Sequence, residues 1–195
     1  MIYNIGIIGK GFVGSAVSHG FSTSVGYKAN LRIYDKDKSK SLNSLKEVVT
    51  KSDFVFISVP TPANNDGSIN LEILEECLSE VSLLIKKVNK KIDSIFLIRS
   101  TVVPGTTSLF QKKFKNLNLV FNPEFLTERS ANFDFISQPR FILGGKKNHT
   151  SKVEKLFRHR FGKTISIIKT DFQTAELVKY ACNTFFATKI SFLNE

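Results

Sequence analysis

The apolar run Ile5-Gly6-Ile7-Ile8 leads directly into Gly9-Lys10-Gly11-Phe12-Val13-Gly14, a G-x-G-x-x-G motif a few residues from the start of the chain. This motif constrains the fold because each glycine answers a different demand. The first permits a tight turn out of a strand. The second lets a ligand's phosphates approach the main chain, and the third lets the following helix pack close to the strand. The pattern predicts a strand ending at Ile8 and a helix over Val13–Phe21. The free N–H groups and partial positive charge at that helix start suit an anion.

A second apolar run, Leu31-Arg32-Ile33-Tyr34, ends in Asp35. That acid lies about twenty residues beyond the motif, where a carboxylate can accept both hydroxyls of a ribose and repel a 2′-phosphate. The expected cofactor is therefore NAD rather than NADP, held by Gly9, Gly11, Phe12, Val13, Gly14 and Asp35. Lys36, Lys38 and Lys40 stand around the acid, where one of them could sit beside the adenosine ribose without changing that preference.

Short apolar runs alternate with helical patterns along the rest of the chain. Strands are predicted at Tyr3–Ile8, Leu31–Tyr34, Phe54–Val59, Ser94–Ile98, Leu119–Phe121, Phe141–Leu143 and Ile165–Ile168. Helices are predicted near Gly11–Phe21, Leu42–Thr50, Leu71–Val88, Thr106–Phe114 and Thr150–Phe161. This β-α alternation predicts an α/β, Rossmann-type, doubly wound and mainly parallel sheet with helices on both faces. Thr170-Asp171-Phe172-Gln173 reads as a capping box with Thr170 as N-cap. A long C-terminal helix follows, patterned to Glu195 without a stop signal, so a downstream segment or a partner is expected to cover it. Two units are expected: residues 1–169 as the dinucleotide-binding domain and 170–195 as the start of a linker helix.

Of 195 residues, 42% are apolar and 18 are phenylalanine, enough for a sizeable core. No apolar run is long enough to span a membrane, and the first is too short for a signal peptide. Cys77 and Cys182 stand far apart, which points to a reducing, cytoplasmic setting. His19, His149 and His159 are isolated, so no metal site is expected. The net charge of +11 is spread over lysine pairs such as Lys86-Lys87, Lys90-Lys91, Lys112-Lys113 and Lys146-Lys147. No aromatic residues interleave with them as a nucleic-acid platform requires, so no nucleic-acid partner is expected.

Ligands of open parallel sheets bind beyond the carboxyl ends of the strands. Three loops there carry polar and stiffening residues: Val59-Pro60-Thr61-Pro62, Arg99-Ser100-Thr101 through Thr106, and Asn122-Pro123-Glu124-Phe125-Leu126-Thr127-Glu128. On the terminal helix Lys179 and Asn183 share a face at i, i+4 spacing, and an ammonium beside an amide can hold an oxyanion. Glu176 falls on a neighbouring face.

With these pieces in place, the chain resembles the N-terminal half of the UDP-glucose/GDP-mannose dehydrogenases. The resemblance rests on Gly9–Gly14, Val59–Pro62, Ser100-Thr101-Val102 with Gly105-Thr106-Thr107, and Asn122–Leu126. It continues through Ser130-Ala131, Asp134-Phe135 and Glu176–Asn183 to Lys189-Ile190-Ser191. Members oxidise the primary alcohol of a nucleotide sugar to a carboxylate with two NAD, through a cysteine thioester. The resemblance implies that Thr101 organises the catalytic water or substrate hydroxyl and that Glu124 is a general base. It implies that Lys179 and Asn183 stabilise the oxyanion, and that Glu128 lies near the nicotinamide. Phe125 and Leu126 would contact the nucleotide sugar, together with Glu124, Lys179 and Asn183. Val59, Pro60, Thr61, Ser100 and Thr101 would complete the cofactor site.

The family cysteine lies in a second domain beyond the end of this chain, and neither Cys77 nor Cys182 takes its place. Arg129 stands where the family has glycine, which puts the local loop shape in question. The expected function is thus the NAD-binding half of a nucleotide-sugar 6-dehydrogenase, incomplete for turnover. A C-terminal half in cis or trans would be its partner, and a homodimer could form through the terminal helix. The alternatives are a non-catalytic NAD-binding module and a two-electron β-hydroxyacid-type dehydrogenase.

Overall fold

The computed structural model describes residues 2–88 and 93–195. Lys90-Lys91 lie outside the described residues. Seven strands form one sheet in the order β2-β1-β3-β4-β5-β6-β7. They are β1 (Asn4–Ile8), β2 (Asn30–Tyr34), β3 (Phe54–Ile57), β4 (Ile95–Ile98), β5 (Asn118–Phe121), β6 (Arg140–Gly145) and β7 (Ser166–Thr170). All neighbours pair in parallel except β5 and β6, which are antiparallel through Val120–Gly145 and Phe121–Gly144. The order runs outward in both directions from β1 and β3, so the crevice at their carboxyl ends is where a ligand fits.

The helices are α1 (Phe12–Gly20), α2 (Leu45–Lys51), α3 (Glu72–Lys87), α4 (Thr106–Lys113), α5 (Ala131–Ser137), α6 (Lys147–Phe161) and α7 (Phe172–Asn194). Side chains of a strand alternate between faces, and the central strands are apolar on both. Ile5, Ile7, Phe54, Phe56, Ile95 and Leu97 pack under α1, α5 and α6. Ile8, Val55, Ile57, Phe96 and Ile98 pack under α2, α3 and α4. Phenylalanines fill both faces, and on the first they form a ring cluster. Phe141 and Phe157 have ring centroids 4.2 Å apart, and Phe161 lies against both.

Three expectations need correction. Asp171, not Thr170, caps α7: its Oδ1 accepts from the Thr174 N–H at 2.8 Å, while Thr170 still pairs with Gly144 inside the sheet. Helix α5 was not expected, and it packs on α1. The helix expected at Leu42–Thr50 starts later, at Leu45, where Ser44 and Glu47 form a reciprocal capping box. Among the described residues no helix is long and apolar enough to cross a membrane.

Only the first two turns of α7 are buried, through Ala175, Glu176 and Lys179. Beyond them Phe185, Phe186, Ile190, Phe192 and Leu193 stand exposed.

Candidate functional site: a dinucleotide crevice beside a buried carboxylate–ammonium pair

The glycine motif leaves β1 at Gly9, whose φ of +90° suits only glycine without strain. A Cβ on Gly14 would lie 1.9 Å from the Gly9 carbonyl oxygen, so the third glycine is required by the approach of α1 to the loop. Gly11 differs. Its φ is −75°, open to any residue, and an added Cβ would meet nothing within 4 Å. Nothing inside the protein asks for glycine there; a ligand lying against the main chain does. Helix α1 also starts with no side-chain cap and no acid in its first turn. This cradle of main-chain N–H groups fits the phosphates of a dinucleotide.

Beside it opens a cavity of about 330 Å³ lined by Gly9, Gly11, Asp35, Leu45, Val59, Pro60, Ile73 and Cys77, among others. Its walls are mainly apolar, as a planar base requires. Asp35 closes one side. Its Oδ2 accepts from Lys10 N at 2.6 Å and its Oδ1 from Asp37 N at 2.9 Å, so the acid ties the glycine loop to the end of β2. Each carboxylate oxygen has further lone pairs for ribose hydroxyls. Two of the surrounding lysines are engaged elsewhere: Lys36 pairs with Glu76 at 3.2 Å and Lys40 with Asp37 at 3.4 Å. Burial pushes the Cys77 thiol up to about 12, which makes it a packing group.

The loops after β3 and β4 are bonded to one another. Ser100 Oγ donates to the Val59 carbonyl at 2.6 Å and Thr61 Oγ1 to the Thr101 carbonyl at 2.9 Å. These bonds bring Val59, Thr61, Ser100 and Thr101 together at the carboxyl edge. Thr101 is half-buried at this edge.

The loop after β5 is held from below. Asn122 Nδ2 donates to the Ile142 carbonyl at 3.0 Å, and its Oδ1 accepts from Arg99 Nη1 at 2.6 Å. Burial lowers the Arg99 guanidinium to about 10, and the Glu124 charge acts in the opposite direction. Glu124 curls back so that Oε2 accepts from Leu126 N at 2.7 Å. Lys179 then reaches across from α7. Its Nζ donates to Glu124 Oε1 at 2.7 Å and to the Glu124 carbonyl at 2.5 Å, both groups being buried. The Phe125 ring centroid lies 5.6 Å from the same ammonium.

The structure thus brings Glu124, Phe125, Leu126 and Lys179 together, 55 residues apart in sequence at the ion pair. Asn183, one turn further along α7, is exposed and makes no hydrogen bond among the described residues. Glu128 is exposed in a 3₁₀ turn, Glu128–Ser130. With Phe12, Arg129 and Phe133 it lines a cleft of about 470 Å³ at the start of α1. Among the described residues no residue other than glycine has positive φ, so Arg129 fits this loop without backbone strain.

Sequence reasoning named two buried groups without giving either a role. One is Arg99, fixed under the loop that carries Glu124. The other is Glu176, whose carboxylate accepts from Gly105 N at 2.6 Å and Thr107 N at 2.7 Å. Its place one turn ahead of Lys179 was the available signal.

Comparison with known proteins bears on this geometry. Residues 32–161 match the family model described as the UDP-glucose/GDP-mannose dehydrogenase family, NAD binding domain. An uncharacterized protein of Methanocaldococcus jannaschii is 34% identical over 98% of this chain and 25% of its own length. A UDP-glucose 6-dehydrogenase of Bacillus subtilis is 34% identical over 78% of this chain and 34% of its own length. Among solved structures, a ternary complex of GDP-mannose dehydrogenase from Pseudomonas aeruginosa superposes with a TM-score of 0.81 at 26% identity. It covers 97% of this chain and 51% of the other. A 3-hydroxyisobutyrate dehydrogenase of Mycobacterium tuberculosis, at 16% identity and a TM-score of 0.71, shares the fold. The chain therefore spans about a quarter to a third of these curated relatives.

Proposed function

Because this chain belongs to the UDP-glucose/GDP-mannose dehydrogenase family and carries its NAD-binding domain, we propose that it is the cofactor half of a nucleotide-sugar 6-dehydrogenase. In this reading residues 1–169 bind NAD and residues 170–195 begin a central helix. The nucleophilic cysteine and most of the nucleotide-sugar site belong to a C-terminal half outside this chain.

The observation that carries the proposal is the buried Glu124–Lys179 pair at the carboxyl edge of the sheet, next to the loop of Thr101 and Ser100. Bound NAD would supply the hydride acceptor there. Gly11, Phe12 and Val13 hold its phosphates, Asp35 its adenosine ribose, and Thr61, Ser100, Thr101 and Glu128 flank its nicotinamide end. Lys179 Nζ, already an ammonium donor, stabilises negative charge as it develops on the sugar oxygen, with Asn183 beside it. Glu124 accepts the proton from the attacking water in the acyl-release step. Thr101 orients that water or the substrate hydroxyl. Phe125 and Leu126 pack against the nucleotide sugar.

A complementation experiment tests this. The purified chain is mixed with a separately folded, cysteine-bearing C-terminal half of a close relative and assayed for NADH with UDP-glucose and GDP-mannose. Turnover that depends on both halves and is lost in Glu124→Gln supports the proposal. Saturable NAD binding with no turnover beside any folded partner half would indicate a non-catalytic binding module instead.

A further inference from the structure

Helix α4 has no cap of its own: Gly105 precedes it, with φ +99°, and no side chain nearby in sequence accepts from its first N–H groups. Glu176 supplies the cap from α7. Its two oxygens accept separately from Gly105 N and Thr107 N, and its side chain is wholly buried. No cation pairs with it among the described residues. Two charge-assisted amide bonds and the positive end of α4 are what offset the burial of that charge.

The position of this bond matters more than its strength. Glu176 and Lys179 are the only charged side chains of α7 that are buried, and they sit three residues apart, within one helical turn. Each grips a different loop. Glu176 holds the end of the segment 100–107, which carries Thr101; Lys179 holds the Glu124 segment. A rigid helix pinned at both points fixes the separation of the two loops. Without Glu176, the polar hold of α7 on the loops would rest on Lys179 alone, beside the apolar packing of Phe172, Ala175 and Val178, and its later turns are exposed and supply no polar anchor.

We propose that Glu176 is a positioning residue: it sets the register of α7, so that Lys179 and Asn183 face Glu124 and the Thr101 loop together. This rests on the functional reading above, and the test separates the two.

Amide hydrogen exchange of the 195-residue chain is compared for wild type, Glu176→Gln, Glu176→Ala and Asp171→Asn. The last removes the charge at the N-cap of the same helix without touching Glu176. Exchange at Gly105 and Thr107 should rise by about tenfold or more in Glu176→Ala, and by less in Glu176→Gln, which keeps one acceptor oxygen. The decisive amide is Leu126, which bonds to Glu124 and does not touch Glu176. It should exchange faster in both Glu176 variants and as in wild type in Asp171→Asn. Loss of protection at Gly105 and Thr107 with Leu126 unchanged would overturn the proposal and leave Glu176 a cap for α4 only. If Glu176→Ala does not fold, Glu176→Gln decides on the same amides. NAD titration of wild type reports separately on the functional reading, since the exchange measurement needs no ligand.

Discussion

Lys179 Nζ lies 2.7 Å from Glu124 Oε1 and 2.5 Å from the carbonyl oxygen of the same residue, so one ammonium holds both the side chain and the backbone of the loop after β5. Removing one member of such a pair leaves the buried charge of the other uncompensated. Lys179→Met should therefore cost about 3–5 kcal/mol of stability. Glu124→Gln combined with Lys179→Met should recover part of that loss, because neither charge is then buried. Urea unfolding of the single and double variants measures both. Equal stability of Lys179→Met and wild type would contradict the buried pair.

Gly11 and Gly14 belong to one motif and should respond oppositely. Gly14→Ala places a Cβ against the Gly9 carbonyl oxygen and should prevent stable folding. Gly11→Ala meets open space at a permissive φ, so its melting temperature should match wild type. NAD binding should nevertheless weaken by about tenfold, or ~1.4 kcal/mol, as the methyl group displaces the phosphates. A Gly11→Ala chain that binds NAD like wild type would remove the cradle argument.

Stability should fall with acid in two windows. His149 has its pKa lowered by burial and by the Lys146 and Lys152 charges, so the folded state favours neutral imidazole. Its contribution is complete above the unfolded value of 6.5 and is lost as pH falls from there through the lower folded value. Asp171 has its carboxyl held below 3.8, first by the Thr174 backbone N–H. Its contribution is present above 3.8 and is lost as pH falls through the depressed folded value. Thermal melts of His149→Gln should lack the upper step, and those of Asp171→Asn should show a smaller lower one. An unaltered upper step in His149→Gln would assign it to another group.

The two thiols should separate cleanly. Cys77 is buried with its pKa raised to about 12, whereas Cys182 is partly exposed on α7. At pH 8 a thiol reagent should modify Cys182 in the folded chain and reach Cys77 only on unfolding. Peptide mapping after timed labelling shows the order. Early labelling of Cys77 would mean that the wall of the base cavity opens readily.

The parallel β-α order was legible because β1, β3 and β4 are short, doubly apolar runs bounded by turn residues, a pattern amphipathic helices do not produce. The glycine motif and Asp35 were legible for the same local reason. What escaped depends on distant partners. The antiparallel direction of β6 carries no local signature, and α5 has seven residues with no side-chain cap to announce it. At the start of α7, Thr170 and Asp171 are both good capping residues. The sheet decides between them, because β7 keeps Thr170 paired with Gly144. The role of Glu176 could not be read locally, since its acceptor sites serve amides about 70 residues away.

The most direct test of the central claim is calorimetric titration of the purified chain with NAD and with NADP, repeated for Asp35→Ala. Saturable binding that prefers NAD is expected, with Asp35→Ala weakening NAD by about 1–3 kcal/mol through unpaired ribose hydroxyls. A folded chain that binds neither dinucleotide, or an Asp35→Ala chain that binds NAD as wild type does, would contradict it.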